Sequence, residues 1–313
     1  MPAEPPSHPP RVSFGLAVFN ARRFIERCID SVLAQTFRDF ELVIADNAST
    51  DGTREIVQAY AAREPRIRLT LNPENIGQIE NVNLVFRLSR GELFRWVGAD
   101  DWLEPAYAER CVAALDADPG AIGVSTFFRT HLDSGEAFYD EWNGERMECP
   151  DPSRRFARML WFFHASDLYY DPIYALYRRE FLARTPLIRV MTCADMMLSA
   201  ELALMGRFAH VPEMLCHRRR AYHELENRKE LMRRYHPQRY REVEAKPARL
   251  FRVLLEIIGA ADLTPVQRAR CVQAAVVFCA RQARRHYKRS FTTFRRERLG
   301  LTRDRIPFRK RPG

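Results

Sequence analysis

"VSFGLAVFNARRFIERCIDSVLAQTFRDFELVIADN", Val12 to Asn47, carries two periodicities in one stretch. Residues 12–18 are a short apolar run with β-branched members, which reads as a strand. Residues 22–36 place Phe24, Cys28, Ile29, Val32 and Leu33 at helical spacing. Residues 40–45 form a second strand-like run that ends at Asp46. Strand, helix and strand at this spacing make one βαβ unit, because two parallel neighbours can be joined only by a crossover.

The same alternation continues outward. "STDGTREIVQAYAARE" (49–64) opens on small polar capping residues and becomes a helix; 67–72 is a strand; 77–91 is a helix closed by glycine. A strand at 92–97, a helix at 105–120 with Pro at its start and Gly at its stop, and a strand at 121–132 complete the series. The expected fold class is α/β: a Rossmann-like, doubly wound, mostly parallel sheet. The second half is less regular. A strand and short helix are expected over 173–187, and a strong helix then a strand over 193–213. Residues 217–246 are highly charged and expected to be mobile. Two helical patterns from Leu250 to Tyr287 form a C-terminal helical extension.

In an open parallel sheet the ligand site lies beyond the carboxyl ends of the strands. Polar residues gather there: Asn20 after the first strand, Asp46 and Asn47 after the second, Asn75 after the third, Asp100 and Asp101 after the fourth. The last pair sits in "FRWVGADDWLEP" (94–105), where an apolar run meets two adjacent carboxylates. Paired carboxylates repel and are costly away from water unless something positive neutralises them. A hard divalent cation, Mg²⁺ or Mn²⁺, meets that need and also grips a diphosphate. The first loop, "VFNARRF", has no GxGxxG, and no GxxxxGK[ST] occurs anywhere, so neither a nicotinamide or flavin Rossmann domain nor a P-loop is indicated.

The net charge of +10 is a property of one end. Residues 281–313 hold 13 Arg or Lys against two acids, net +11, which leaves the rest of the chain at −1. That distribution argues against a nucleic-acid binder. The seven cysteines are scattered, odd in number and without a CxxC pair, as expected for buried thiols in a reducing compartment and not for a zinc site. "MPAEPPSHPP" has five prolines and no apolar core, so it reads as a disordered leader and not a signal peptide. No run approaches the roughly 20 apolar residues of a membrane span.

Two blocks then carry a resemblance. "VFNARRFIERCIDSVLAQTFRDFELVIADNASTDGT" and "NPENIGQIENVNLVFRLSRGELFRWVGADD" resemble the N-terminal half of a family 2 glycosyltransferase of the GT-A fold. The likeness is strong over Val12–Pro105 and weaker to about Arg219. It implies a GT-A nucleotide-sugar-binding and catalytic domain at 11–219; composition and periodicity set apart a disordered leader at 1–10, a charged linker and helical extension at 220–287, and a basic tail at 288–313. It also implies a nucleotide-diphosphate sugar donor, taken as UDP-linked, a divalent metal and transfer with inversion to a sugar, lipid-linked or other hydroxyl acceptor in surface polysaccharide or glycolipid synthesis. The resemblance places Ala17, Phe19 and Asn20 in the nucleotide pocket, with Asp46, Asn47 and Asn75 beside it; Asn47 takes the position that pairs with uracil N3. Asp100 would contact ribose or metal, and Asp101 would be the principal metal ligand. Gly98 stands where many members have the first acid of a DxD motif, and Val82 where many have an arginine beside the diphosphate. Asp195, in "CAD" (193–195), takes the place of the general base. His217 and His223, with Arg218 to Arg220, would close over the diphosphate. The expected location is cytoplasmic, peripheral at the inner face of an anionic membrane through the basic tail.

Two other readings remain open at this point. A nucleotidyltransferase can share such a sheet, but needs a Gly- and Lys/Arg-rich first loop, which "AVFNAR" is not. A catalytically weak binding protein of the same fold is kept open by Gly98, Val82 and Asn47.

Overall fold

The computed structural model describes residues 8–139, 147–165, 172–220, 228–244 and 246–299. Four strands form a parallel half-sheet in the order β3-β2-β1-β4: β1 (Val12–Val18), β2 (Phe40–Asp46), β3 (Ile67–Leu71) and β4 (Leu93–Val97). The crossovers are α1 (Ile25–Leu33), α2 (Thr53–Arg63) and α3 (Gln78–Leu88). A parallel sheet is covered on both faces, so its strands are apolar throughout and not alternating. β2 and β4 are buried along their whole lengths. The helices are amphipathic by the same logic: α1 buries Ile25, Cys28, Ile29 and Val32. At the centre of this core Gly15 has no room for a side chain. A Cβ there would stand 2.6 Å from the Phe94 ring and 3.0 Å from Val85.

Beyond β4 the sheet becomes mixed. After β5 (Trp102–Leu103) and α4 (Tyr107–Ala117) come β6 (Ala121–Leu132) and β7 (Ala137–Tyr139). Helix α5 (Pro152–Ala165), a 3₁₀ turn (Pro172–Tyr174), β8 (Leu176–Arg178), α6 (Arg179–Ala183), α7 (Ala194–Met205) and β9 (Arg207–Arg220) follow. The full order is β3-β2-β1-β4-β8-β6-β9-β5, with β7 on β6. β8 runs antiparallel between β4 and β6, β9 is parallel to β6, and β5 is antiparallel to β9. The mostly parallel, doubly wound sheet read from the sequence is therefore present, with one short antiparallel strand closing the seam between its halves.

The segment expected to be mobile is ordered at both ends. β9 runs through Arg220, α8 (Arg228–Tyr235) buries Met232, α9 (Tyr240–Val243) buries Val243, and His236 is buried between them. Charge misled here, because a strand can carry arginines such as Arg218 and Arg219 when each has an aromatic and an acidic neighbour. The helical extension is α10 (Pro247–Ala260) and α11 (Pro265–Leu299). α10 buries Leu250, Val253, Leu254, Ile257 and Ile258; α11 buries Cys271, Ala275, Phe278 and Cys279. α11 continues past the point where the basic tail was expected to begin at 288. Residues 1–7 of the leader, His223 and residues 300–313 lie outside the described residues. All seven cysteines are free thiols.

Candidate active site

The carboxyl edge of the parallel half-sheet is held in unusual backbone geometry. Among the described residues four non-glycine residues have positive φ, and three stand at this edge or facing it: Asn20 (50°), Ala48 (60°) and Cys193 (62°). Such a conformation costs an L-residue roughly 1–2 kcal/mol and tends to collect at functional sites. Asn20 ties the β1 and β2 ends together. Its backbone N–H donates to Ser49 Oγ at 2.9 Å, and its Oδ1 accepts from the Thr50 N–H at 2.9 Å. Ala17 is half-buried opposite Ala45, and Phe19 is exposed at the strand end.

Asp46 is fully buried at the last position of β2. Its Oδ2 accepts from Arg54 Nε at 2.8 Å and from the Ser49 N–H at 3.3 Å. Its Oδ1 has no partner. Asn47, the position expected to read the base, is spent otherwise. Its Oδ1 accepts from Asn72 Nδ2 at 3.2 Å and from the Ile76 N–H at 2.9 Å, and its Nδ2 donates to Asn75 Oδ1 at 2.9 Å. Asn72 donates onward to Asn81, whose amide donates to the Ala45 carbonyl. A carbonyl has two lone pairs, so Asn47 has none left for a ring N–H. In this structure the Asn47 amide ties the loop together, and the unpartnered acceptor is its neighbour Asp46.

The acid pair follows β4 in a tight turn, closed by the Asp101 N–H on the Gly98 carbonyl at 3.0 Å. The same carbonyl accepts from Cys28 Sγ at 3.3 Å. The Asp101 side chain folds under Gly98: a Cβ at 98 would stand 2.6 Å from Asp101 Oδ2 and 3.4 Å from Asp100 Oδ1. Glycine at 98 leaves this room to the Asp101 carboxyl without any shift of its side chain. Asp101 Oδ1 accepts from the Arg219 N–H at 3.2 Å, and Arg218 Nε lies 3.9 Å from Oδ2. Burial pushes the Asp101 carboxyl up to about 6, against the opposing charge of Arg218. Burial also raises Asp100, against Arg218, Arg219 and Arg234.

Asp195 stands in the first turn of α7, half-buried. Desolvation raises its carboxyl; backbone N–H groups of Met196 and Asp195, then the charge of Arg218, oppose the rise. Arg218 thus acts on Asp100, Asp101 and Asp195 alike. Its guanidinium stacks 4.5 Å from the Tyr174 ring, and the Tyr174 carbonyl accepts from the buried Arg95. The sequence reading assigned Arg218 to a loop over a diphosphate. It lies in a strand, among all three carboxylates.

Side chains alternate along a strand, and β9 uses both faces. Cys216 and Arg218 point toward Arg95 and Tyr174. His217 and Arg219 point toward α1. His217 stacks on Trp102 at 4.8 Å and 3°, contacts Glu104 Oε1 at 2.7 Å and meets His131 at 3.1 Å. It therefore belongs to this stack and not to a closing loop. On the α1 side lies a cavity of about 150 Å³ lined by Arg23, Phe24, Arg27, Asp100, Asp101, Trp102 and Arg219.

These residues suit a divalent cation. The two carboxylates are desolvated, line one cavity and offer hard oxygen donors. No cluster of three or more His, Cys, Asp or Glu that could hold a metal ion occurs among the described residues.

The sequence matches the family described as glycosyl transferase family 2 over residues 13–185. The E. coli chondroitin synthase is 34% identical over 134 residues, which are 43% of this chain and 19% of that protein. The Bacillus subtilis putative glycosyltransferase EpsH is 33% identical over 101 residues, 32% of this chain and 29% of that protein. The match thus spans less than a third of either relative. Among solved structures, S. aureus TarS in complex with UDP-GlcNAc superposes with a TM-score of 0.63 at 17% identity, covering 93% of this chain and 76% of that one. The mannosyltransferase PcManGT from Pyrobaculum calidifontis, in complex with GDP-Man and Mn²⁺, gives 0.53 at 19% identity over 95% and 84%. At these identities the two structures speak for the fold alone. The matched stretch holds β1 to β4 and the acid pair, and it is more than half of the sequence: the chain belongs to glycosyl transferase family 2.

Proposed function

We propose that the protein is an inverting glycosyltransferase that moves a sugar from a UDP-linked donor to a hydroxyl of a glycan or lipid-linked acceptor. The observation that carries this reading is the position of Arg218, close enough to Asp100, Asp101 and Asp195 to act on all three. One site then holds an acid pair for the leaving diphosphate and a separate carboxylate for the incoming hydroxyl. Asp195 accepts the proton of that hydroxyl as its oxygen attacks the anomeric carbon. A carboxyl raised by burial is better matched to this work near neutral pH. One displacement with no covalent intermediate inverts the anomeric centre. Asp100 and Asp101 would hold a divalent cation, which supplies positive charge for the diphosphate when bound.

UDP is chosen on the reading that the base reaches the unpartnered Oδ1 of Asp46, which is buried in this structure. Uracil offers one ring N–H to such an acceptor, whereas guanine offers two donors on one edge, and Asp46 Oδ2 is already engaged. The TarS structure with UDP-GlcNAc supports this choice; the PcManGT complex with GDP-Man and Mn²⁺ supports a nucleotide sugar and a cation more generally. The test is a thermal-shift panel of UDP and GDP with Mn²⁺, for the wild type and Asp46→Asn. A ligand at 100 times its dissociation constant adds about 2.7 kcal/mol. UDP is expected to shift the wild type more than GDP does, and Asp46→Asn to remove that preference. A larger shift with GDP would sink the assignment of the base.

Among the described residues no helix is long and apolar enough to cross a membrane. The +11 carried by residues 281–313 suits the surface of an anionic membrane, where lipid-linked acceptors present their sugars.

A further inference from the structure

We propose that the cavity between α1 and the acid turn is a phosphate subsite in its own right, in which Arg23, Arg27 and Arg219 bind a diphosphate without help from a divalent cation. The proposal rests on the glycosyltransferase reading only for the diphosphate's identity. Three guanidiniums and two carboxylates line the cavity, which leaves one positive charge in excess. All three guanidiniums stand against aromatic rings, and among the described residues only Arg219 also pairs with an acid. Arg27 lies 3.3 Å from the Trp102 ring centroid, Arg219 lies 4.4 Å from that of Phe24, and Arg23 lies 5.2 Å from the same Phe24 ring. A guanidinium stacked on a ring keeps its N–H edge available for an oxyanion, the geometry in which arginine binds phosphate bidentately. Arg219 also donates to Asp133 at 2.9 Å, while Arg23 and Arg27 make no ion pair among the described residues. Arg27 and Arg219 stand near enough for each to feel the other's charge, and burial together with Arg219 lowers the Arg27 pKa. Like charges gathered around a cavity are relieved by an anion placed between them. The first turn of α1, which has no side-chain cap, adds its positive end to the same space.

The cluster also accounts for a residue that is absent. Val82, where many family members have an arginine beside the diphosphate, is half-buried against the core, and its carbonyl accepts from Trp96 Nε1 at 2.9 Å. No guanidinium reaches the diphosphate from there. The charge comes from α1 and β9 on the other side of the acid turn.

The test is calorimetric titration with inorganic pyrophosphate in EDTA, on the wild type, Arg23→Gln/Arg27→Gln and the surface control Arg110→Gln. Arg23, just before α1, and Arg27, within it, are exposed, so their replacement should leave the urea midpoint unchanged. The wild type is expected to bind without metal. The double variant should lose at least tenfold in affinity and show a shallower salt dependence, and Arg110→Gln should match the wild type. Equal affinity in the wild type and the double variant, or no metal-free binding at millimolar pyrophosphate, overturns the proposal. A second arm compares UDP with uridine in EDTA and assigns the source of the phosphate. If the double variant loses the excess affinity of UDP over uridine, the subsite takes the donor's diphosphate. If it keeps that excess while losing pyrophosphate, the subsite takes a phosphate carried by the acceptor. No readout depends on sugar transfer, so an inactive protein would leave the result intact.

Discussion

Asp195 and Asn47 show what a single residue can and cannot reveal before the chain is folded. Asp195 could serve as a base or as a helix cap, and the two roles separate kinetically. Asp195→Asn is expected to keep donor affinity and lose turnover by roughly 10²–10⁴, the range of a positioned general base. Steady-state kinetics at saturating donor provide the check, and a loss of donor affinity with turnover retained would mark a structural cap. The family resemblance gives Asn47 the place of a reader of the base. Its carbonyl is consumed by Asn72 and Ile76, a fact that depends on how the loop after β3 returns across β2. Sequence order shows the two amides 25 residues apart and gives no sign that they touch. Arg218 was hidden for a related reason: "HRRR" reads as a basic loop until strand pairing sorts its members onto opposite faces.

At the scale of elements, periodicity was a good guide wherever one strand and one helix alternate, and the limits of β1 to β4 and α1 to α3 fall close to those read from apolar spacing. It also placed β8 and α6 within 173–187 and the start of β9 within 193–213, but not the charged second half of β9. β9 also carries a burial effect that pH should expose. His210 lies midway along it, with Nδ1 3.0 Å from Ser125 Oγ and a buried Nε2 that has no partner. Desolvation lowers its pKa to about 4, from about 6.5 in an unfolded chain. The folded state therefore resists protonation that the unfolded state accepts. The resulting penalty is absent above pH 6.5, grows as pH falls and is complete below about 4. For a partly exposed ring it is on the order of 1–2 kcal/mol after allowance for solvent. Urea unfolding of the wild type and His210→Gln at pH 7.5 and pH 4.5 should show the variant losing less stability on acidification. Parallel losses would remove His210 from the account.

Over the whole molecule, charge and packing are separated along the chain. Residues 1–280 carry a net charge of −1, while α11 leaves its packed turns around Cys271, Ala275 and Phe278 and carries the basic segment onward. Composition alone made that segregation visible; what it could not show is that the basic segment begins inside a helix. Each base near an anionic surface contributes on the order of 1 kcal/mol, weakened by salt. The full chain is expected to co-sediment with anionic liposomes at low salt, and a chain ending at Arg284 is not. Equal sedimentation of the two would show that the basic segment has no part in membrane binding.

β9 also works as a reading frame. Opposite β6 it skips at Pro212, Glu213 and Leu215, so that Thr126 pairs with Val211, Phe127 with Met214 and Phe128 with Cys216. Those irregularities set the phase in which the strand enters the site. They decide that Arg218 joins Asp195 on one face and Arg219 joins Phe24 on the other. Deleting one skipped residue would leave every catalytic side chain present, yet exchange the two arginines between faces. Length variation is therefore tolerable in this strand only in steps of two, and a family member that gained or lost a single residue here would need a compensating change before the site to restore the phase.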